Sequence, residues 1–317
     1  MRFEMAPMEG ITTYIYRNAY ARYFGGVDKY YTPFLSLHRE KEFSHKEKNE
    51  ISPQNNEGIL VVPQVLTNSA EDFLKAAERL KEIGYEEINI NLGCPSGTVT
   101  VKGKGAGMLA DVGELDAFLD GIFTRTPVEI SIKTRLGISD VCEWDRLLAV
   151  YNRYPVKELI VHARVREDFY ENKPDLETFA KALSESRSPV CYNGDIFCVQ
   201  NYTELTGKFP ELENVMLGRG LIADPYLPEK LRRMERGDEQ PQPDVRLLRA
   251  FHDEIYYGYQ ELMMGERNAL FRMKELWMYL FCLFDAPDKY KKKIRKANSC
   301  ADYEKAVDAL FELELRQ

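Results

Sequence analysis

The feature that most constrains the fold is a regular alternation of short β-type runs with amphipathic helical patterns. The runs are FEMAPM (3–8), KYYTPF (29–34), ILVVPQ (59–64), EEININ (86–91), VEISIK (128–133), ELIVHA (158–163), PVCYNG (189–194) and NVMLGR (214–219). The stretch 70–84 illustrates the helical segments, with apolar Phe73, Leu74 and Leu80 on one face and a glycine stop at Gly84. Eight strands alternating with helices over about 220 residues predict an α/β fold of the (β/α)8 TIM-barrel type.

The pattern changes after Arg236. GDEQPQPDV (237–245) is polar and contains proline, which is typical of a linker. Residues 246–317 show helical patterns and no strand, so they predict a small C-terminal bundle of about four helices. The predicted organisation is a barrel over 1–236, a linker over 237–245 and a helical domain over 246–317. Within the barrel, the polar stretch LHREKEFSHKEKNE (37–50) predicts a second βα unit that is partly loop.

Composition excludes several classes of protein. With 43 basic and 51 acidic side chains the net charge is −8, which argues against a surface that grips nucleic acid everywhere. The first residues do not resemble a signal peptide, and no run approaches the ~18 apolar residues of a membrane span. Six cysteines and four histidines without regular spacing predict neither a disulfide framework nor a metal site. We therefore expect a protein of the reducing cytoplasm, and a monomer.

Polar residues follow the predicted strands one after another. Active sites of such barrels lie at the carboxyl ends of the strands, in the βα loops. Each of these residues alone has a structural explanation, but so many at one rim favour a catalytic mouth. The residues are Pro7, Met8, Gln64, Asn91, Cys94, Lys133, Arg135, His162, Arg164, Asn193, Gly194, Asp195, Gly218 and Arg219.

The last two loops predict a phosphate site. Loops after strands seven and eight of a barrel often hold a phosphate with backbone N–H groups and a short helix N-terminus. NGD (193–195) and GRG (218–220) supply glycines that allow close approach of the backbone, and Arg219 supplies positive charge. Glycines in ordinary turns are the simpler interpretation of either motif alone. Both motifs at these two strands favour a mononucleotide cofactor across the barrel mouth.

The ordered motifs resemble those of the tRNA-dihydrouridine synthase family across the whole barrel. They are APMEGITTYIYR (6–17), Gln64, NLGCPSGTVTVKGKGAGML (91–109), IKTRLG (132–137), VHAR (161–164), YNGDI (192–196) and MLGRGLIADP (216–225). RMKELWMYL (272–280) resembles a segment of the family's C-terminal helical domain. The stretch after VHAR departs from the family's usual form, which bears on the position of the substrate.

The resemblance implies an enzyme that reduces a D-loop uridine of tRNA to dihydrouridine with FMN and NADPH. It implies that Cys94 is the catalytic acid and that Asn91 helps to hold the target base. It also implies a set of residues that hold FMN, with Asp195 beside them. That set is Pro7, Met8, Gln64, Lys133, His162, Asn193, Gly194, Gly218 and Arg219.

The chemistry is consistent with these residues. Hydride added to C6 of uracil leaves an enolate, and a positioned acid must then protonate C5. A thiol with its ordinary pKa of about 8.5 is mostly protonated near neutral pH and can serve as that acid. Pro95 keeps Cys94 out of the helical region, so a loop can present the thiol. Lys133 near the flavin would stabilise the reduced ring. We expect structural roles for Cys142, Cys191, Cys198, Cys282 and Cys300.

A protein that binds folded RNA needs a positive surface, because the charge of the RNA backbone dominates the binding affinity. We expect Arg135 and Arg164 to provide this at the rim, and Lys291, Lys292 and Lys293 in the helical domain, next to Lys289, Arg295 and Lys296. A solvated helix face is the ordinary interpretation of such a charge run. Trp277 and Tyr279 have helical spacing and are expected in the core of the bundle. The target uridine would have to be turned out of its stack to reach the barrel.

Two alternatives remain open at this stage. Another FMN-dependent barrel enzyme could reduce a free pyrimidine or an enone, but it would have no evident need of the helical domain. An RNA-binding protein with an inactive flavin site is a different class of function. Intact Cys94, Lys133 and His162 argue against it.

Overall fold

The computed structural model describes residues 1–37, 42–263 and 265–316, and these form two compact units. The first unit comprises residues 1–7, 28–195 and 204–217, and the second comprises residues 8–27, 196–203 and 218–317. The predicted division into 1–236 and 246–317 stays a prediction. The compact units are divided differently, because helix 14–23 packs against helix 245–262 in the second unit.

The first unit contains a parallel sheet with nine strand segments. They are β1 (Arg2–Met5), β2 (Lys29–Tyr31), β3 (Val61–Val62), β4 (Gln64–Val65), β5 (Glu87–Leu92), β6 (Glu129–Arg135), β7 (Leu159–His162), β8 (Val190–Asn193) and β9 (Asn214–Leu217). Their order in the sheet is β3-β2-β1-β9-β8-β7-β6-β5-β4. All eight predicted strand positions are confirmed, with ends that differ by a few residues.

Pro63 explains why nine segments make an eight-stranded barrel. β3 pairs with β2 and β4 pairs with β5, so the two ends of the sheet belong to one stretch of chain. Proline has no N–H to donate, which interrupts the ladder at this position. The carbonyl of Pro63 still accepts from the Asn89 amide at 2.9 Å. The sheet therefore closes on itself, which confirms the predicted (β/α)8 fold.

Helices alternate with these strands as predicted. Those of the first unit are α2 (His45–Ile51), α3 (Ala70–Ile83), α4 (Gly97–Thr100), α5 (Val112–Phe123), α6 (Trp144–Tyr151) and α7 (Leu176–Glu185), and α8 (Val199–Lys208) is divided between the units. Short 3-10 helices cover Pro53–Asn56, Gly105–Ala110, Val141–Glu143 and Arg166–Asp168. In the polar stretch 37–50, residues 38–41 lie outside the described residues. A capping box of Ser44 and Glu47 starts α2 there.

The helix predicted over 70–84 shows how local sequence sets its bounds. Ser69 caps α3 by accepting from the Asp72 amide at 3.2 Å. Gly84 ends the helix with φ +110°, a left-handed conformation that favours glycine. Phe73 and Leu80 are buried on the inner face. Capping at both ends and one apolar face account for the accuracy of this prediction.

A buried charge cluster closes the amino end of the barrel. Lys29 Nζ lies 2.8 Å from a Glu87 carboxylate oxygen and 3.2 Å from one of Glu158. Glu4 lies beside them, and burial together with the Glu158 carboxylate raises the pKa of Glu4 to about 8. An apolar layer occupies the barrel interior nearby and comprises Ala6, Tyr31, Val62, Ile160, Cys191 and Met216. These side chains fill the amino end of the barrel. We therefore expect ligands to bind at the carboxyl ends of the strands.

The second unit is helical. It contains α1 (Tyr14–Tyr23), α9 (Arg219–Ala223), α10 (Leu227–Arg236), α11 (Val245–Leu262), α12 (Glu266–Leu280), a 3-10 turn at Phe281–Leu283, α13 (Asp288–Lys296) and α14 (Cys300–Phe311). The last four helices confirm the predicted C-terminal bundle. Trp277 is buried and donates to the Tyr303 hydroxyl at 2.8 Å, which confirms its expected place in the core, and Tyr279 is half-buried. Across the described ranges, no helix has the length and apolar character needed to cross a bilayer.

The raised pKa of Glu4 predicts a pH-dependent free energy of unfolding. Unfolded glutamate ionises near pH 4.3, whereas folded Glu4 keeps its proton to about pH 8. The folded state therefore binds more protons in this window, and its stability falls as pH rises, by up to about 1.4 kcal/mol per unit. Glu4→Gln cannot ionise and should gain stability relative to wild type between pH 5 and 8 in urea denaturation. If the free energy of unfolding had the same pH dependence in wild type and Glu4→Gln, the role given to Glu4 would be wrong.

Candidate active site

The strand register brings most of the predicted polar residues of the first unit together. At the carboxyl ends, Asn91 is paired with Lys133, Arg135 with His162, and His162 with Asn193. These pairings run across β5, β6, β7 and β8 in order. The predicted concentration of functional side chains at this end of the first unit is therefore a property of the fold.

A chain of buried side-chain amides joins the three neighbouring strands β4, β5 and β6. Asn89 Nδ2 donates to Ser131 Oγ at 3.0 Å, and Asn89 Oδ1 accepts from Gln64 Nε2 at 2.8 Å. Gln64 Oε1 in turn accepts from Asn91 Nδ2 at 2.7 Å. Each amide uses both its donor and its acceptor, so the orientation of one fixes the orientation of the next.

Asn91 connects this chain of hydrogen bonds to the loop that carries Cys94. Its Oδ1 accepts from the backbone amides of Cys94 at 2.9 Å and of Gly93 at 3.1 Å. The side chain of Asn91 thus positions the Cys94 backbone. A contact between Asn91 and a target base stays a prediction, as does a contact between Gln64 and FMN.

Glycines fold the following segment back onto Cys94. The Ala106 amide donates to the Cys94 carbonyl at 3.1 Å. Gly105 has φ +57°, and a Cβ there would lie 3.0 Å from the Cβ of Cys94. A Cβ on Gly107 would lie 2.6 Å from the Thr100 carbonyl oxygen. Gly105 and Gly107 are therefore required by the compact path of this loop around the cysteine.

Cys94 differs from the other cysteines in its setting. It is half-buried, forms no disulfide and lies in a loop held on both sides. Cys191 is buried in the barrel core, as expected for a structural cysteine. Cys142, Cys198 and Cys282 are exposed and Cys300 is half-buried, so structural roles for these four cysteines stay predictions.

Lys133 lies in a desolvated position. Its Nζ donates to Asn193 Oδ1 at 2.9 Å, and Asn193 Nδ2 donates to the Met216 carbonyl at 2.9 Å. Burial and the neighbouring Arg135 charge lower the pKa of Lys133 to about 7. An anionic group near Nζ would restore the ammonium form. The lysine is therefore suited to hold negative charge at this position.

Arg135 joins the Cys94 loop to the loop after β7. Its Nε donates to the Gly93 carbonyl, Nη1 to the Val165 carbonyl and Nη2 to the Phe169 carbonyl, each at 2.9 Å. Only 1% of this residue is exposed. It therefore gives RNA no positive surface, contrary to expectation, and its role here is to fix two loops. A contact with a nucleotide inside the pocket stays a prediction.

Arg164 is also buried, which corrects the expectation of an exposed cation at the rim. It is 1% exposed and forms an ion pair with Asp195. Its Nη1 lies 3.1 Å from His162 Nε2. A guanidinium can only donate, so His162 accepts through Nε2 and carries its proton on Nδ1. Asp195, predicted to bind the cofactor, thus orients the arginine that sets the histidine tautomer.

Two aromatic residues at this site were missed from the sequence. Phe169 and Tyr170 are both about half exposed, and Phe169 has φ +48°. The Tyr170 ring lies 5.8 Å from the His162 ring and 5.3 Å from the Arg135 guanidinium carbon. Exposed aromatic residues next to a strained backbone position often mark a binding surface. The FY pair in the polar loop after VHAR was the available signal.

Two of the remaining predicted cofactor residues, Met8 and Gly194, make close contacts within their own units. Pro7 ends the first segment of the first unit, and Met8 begins a turn in the second, where its amide donates to Thr12 Oγ1 at 2.8 Å. A Cβ on Gly194 would lie 2.1 Å from the Tyr192 hydroxyl. The roles of Pro7, Met8 and Gly194 in binding FMN stay predictions.

The GRG motif opens α9 in the second unit. Gly218 is its N-cap, and the Arg219 guanidinium lies 5.5 Å from the Phe197 ring. A Cβ on Gly220 would lie 1.8 Å from the Ile196 carbonyl oxygen. Gly220 is thus required by contact with the protein's own chain. Phosphate binding by Gly218 and Arg219 stays a prediction.

The basic run of the second unit lies on α13. Ile294 is its buried residue, whereas Lys291, Lys292 and Lys293 are exposed. Within the described part of the chain, none of these lysines has a carboxylate within 4.0 Å. The predicted basic surface is therefore present, and its binding to RNA stays a prediction.

The fold is similar to that of solved barrel structures. A solved structure of the old yellow enzyme homologue NCR from Zymomonas mobilis matches with a TM-score of 0.52 at 11% identity, covering 78% of this chain and 91% of that one. The protein belongs to the dihydrouridine synthase family, whose model, described as "Dihydrouridine synthase (Dus)", matches residues 4–314.

Named relatives agree with this family. A "Probable tRNA-dihydrouridine synthase" of Staphylococcus epidermidis is 27% identical over 244 residues, which cover 75% of this chain and 74% of that protein. A "Probable tRNA-dihydrouridine synthase 2" of Bacillus subtilis is 26% identical over 261 residues, covering 80% and 78%. The resemblance stated from the motifs is therefore confirmed.

Replacement of Arg135 should loosen the two loops without unfolding the barrel. Arg135→Lys keeps the charge but cannot bridge three carbonyls, so we expect faster hydrogen exchange in peptides covering 93–110 and 165–175 and a loss of about 1–3 kcal/mol of unfolding free energy. Arg146→Lys, at an exposed position, is the matched control. Unchanged exchange in both loops would show that Arg135 does not position them.

Proposed function

We propose that this protein is a tRNA-dihydrouridine synthase that reduces the C5=C6 bond of a D-loop uridine, with FMN as cofactor and NADPH as reductant. The observation that supports it most is a half-exposed Cys94 whose loop is held from both sides, next to a desolvated lysine, in a chain of the dihydrouridine synthase family. Such a protein would work as a monomer in the cytoplasm.

The residues of the first unit fit FMN. Lys133, Asn193 and His162 present a cation, an amide and a neutral imidazole at neighbouring strand ends. Burial lowers the pKa of Lys133, and a nearby anion would raise it again. Lys133 would therefore be protonated beside the reduced ring and would stabilise the negative charge of that ring. Bound FMN would supply a hydride, taken originally from NADPH.

Cys94 completes the addition of two hydrogens to the base. After hydride has reached C6, the thiol donates its proton to C5 and is left as a thiolate, which regains a proton from solvent. The backbone amides of Gly93 and Cys94 both donate to Asn91 and so fix the loop. The thiol is therefore already positioned before the reaction. The positioned proton donor contributes a factor of about 10²–10⁴ to the rate.

The loop after β7 is the part of the first unit best suited to an unstacked base. Tyr170 offers an exposed ring face beside His162, and aromatic faces bind bases by stacking. The target uridine must leave its stack in the folded tRNA to reach such a site. Arg135 fixes this loop through the Phe169 carbonyl, which ties base binding to the position of Cys94.

Substitution of Cys94 tests the reaction and the acid together. The purified protein, NADPH and tRNA from cells that lack dihydrouridine should give dihydrouridine at a defined uridine, found by mass mapping of the digested tRNA. Cys94→Ala should be slower by about 10²-fold or more, whereas Cys142→Ala, at an exposed cysteine, should be unchanged. Bound flavin that NADPH reduces without any product on tRNA would move the proposal to a small-molecule enone or pyrimidine reductase.

Lys133 should tune the reduction potential of bound flavin. Lys133→Met removes the only charge proposed to favour the reduced ring, so we expect a potential more negative by about 30 mV for each tenfold loss of preference. The potential is measured by spectroscopic titration against a reference dye. Lys102→Met, at an exposed lysine, is the control. The same potential in Lys133→Met and wild type would exclude this role.

A further inference from the structure

A small apolar groove with a basic rim lies between α12 and α13 in the second unit. Its floor is formed by Trp277, Phe281 and Ile294, which are at most 8% exposed. Met278 lies at its edge and is 71% exposed, which is high for a methionine in a helix. The cations that line the groove are Lys274, Lys291 and Arg295.

The charge around this groove is opposite in sign to that of the whole chain. α13 carries six cations and one acid, Asp288, whereas the protein as a whole has a net charge of −8. The Lys291 ammonium lies 5.6 Å from the Phe281 ring, so it is above the apolar floor. A concentrated positive field over an apolar surface favours a ligand that carries both anionic and apolar groups.

A nucleotide has this combination, and two other polyanionic partners do not fit. Adsorption to an anionic membrane needs a broad apolar helix face, and α13 has one buried residue and lysines or arginines at most exposed positions. A purely acidic peptide has no apolar group that could pack against the floor formed by Trp277 and Phe281. An unpaired base has a flat apolar face beside its own phosphates.

We propose that the groove binds an unpaired nucleotide of the RNA substrate outside the active site. Its base packs against Met278 over the edges of Trp277 and Phe281, and its phosphates pair with Lys291 and Arg295. This inference rests on the proposed function, because it takes RNA as the substrate. It makes this groove a second point at which the enzyme recognises unpaired rather than duplex RNA.

The proposal separates the cations of α13 into two groups. Lys291 and Arg295 are four residues apart, share one helix face and line the groove. Lys289 and Lys292 are exposed on the same helix but do not line it. A diffuse basic surface would make all four equivalent, whereas a nucleotide site makes the first pair more important.

Binding of tRNA by two double variants tests this separation. Lys291→Glu with Arg295→Glu should weaken affinity at fixed salt at least tenfold more than Lys289→Glu with Lys292→Glu, which changes the charge by the same amount. The salt dependence of binding should fall by about two contacts in the first variant. Equal losses in the two variants would overturn the nucleotide site.

Met278 and Phe271 provide a matched pair for the apolar part. Both are exposed on α12, at 71% and 58%, but only Met278 lines the groove. Met278→Glu should weaken tRNA binding about tenfold, and Phe271→Glu should leave it unchanged. Both positions face solvent, so both variants should fold. Identical affinities for the two variants would contradict base packing.

Trp277 reports on occupancy directly. The chain has two tryptophans, so Trp144→Phe leaves Trp277 as the single indole fluorophore. Addition of tRNA without dihydrouridine should quench its fluorescence, and Met278→Glu in the same background should remove the quench. Absence of a quench when tRNA is bound would overturn the proposal.

Failure of this inference is distinguishable from failure of the proposed function. If wild type makes dihydrouridine but the paired variants behave alike, the function stands and the nucleotide site is wrong. If wild type binds no tRNA and makes no dihydrouridine, the proposed function itself is wrong.

Discussion

The site depends on a continuous line of side-chain amide hydrogen bonds inside the barrel. Ser131, Asn89, Gln64 and Asn91 connect three strands, and Asn91 then holds the backbone of the Cys94 loop. Buried amides with both ends satisfied are rigid, and an unmade bond in such a chain would cost about 1–3 kcal/mol. The sheet therefore fixes the position of the loop through Asn91.

The opposite wall of the site is fixed in a related way. Arg135 bonds three carbonyls and joins the Cys94 loop to the loop that carries Tyr170, while Arg164 uses Asp195 to orient itself against His162. Both arginines act through their planar arrays of donors rather than as exposed charges. Cationic residues in the IKTR and VHAR motifs thus serve the geometry of the pocket. The exposed cations that we expect to meet RNA lie on α13 instead.

Sequence patterns predicted the barrel well because its strands are short, apolar and regularly spaced. The split at Pro63 was within reach, since proline cannot complete a ladder, but closure through that residue depends on pairing between distant strands. The positions of Cys94, Lys133 and Asn193 at one end follow from strand alternation alone. The burial of Arg135 and Arg164 could not be predicted, because it depends on loops that fold over them. The Asn91 bonds to its own loop likewise arise from local turn geometry that the motif letters do not reveal.

The central claim is that hydride reaches C6 of the uridine and that the Cys94 thiol donates a proton to C5. The most direct measurement is the location of deuterium in the product after reaction in D₂O with unlabelled NADPH. The account predicts solvent deuterium at C5 of the dihydrouridine, incorporated at least about 10²-fold more slowly in Cys94→Ala. A C5 without solvent deuterium, or a C5 label formed at the wild-type rate when Cys94 is replaced by alanine, would contradict it.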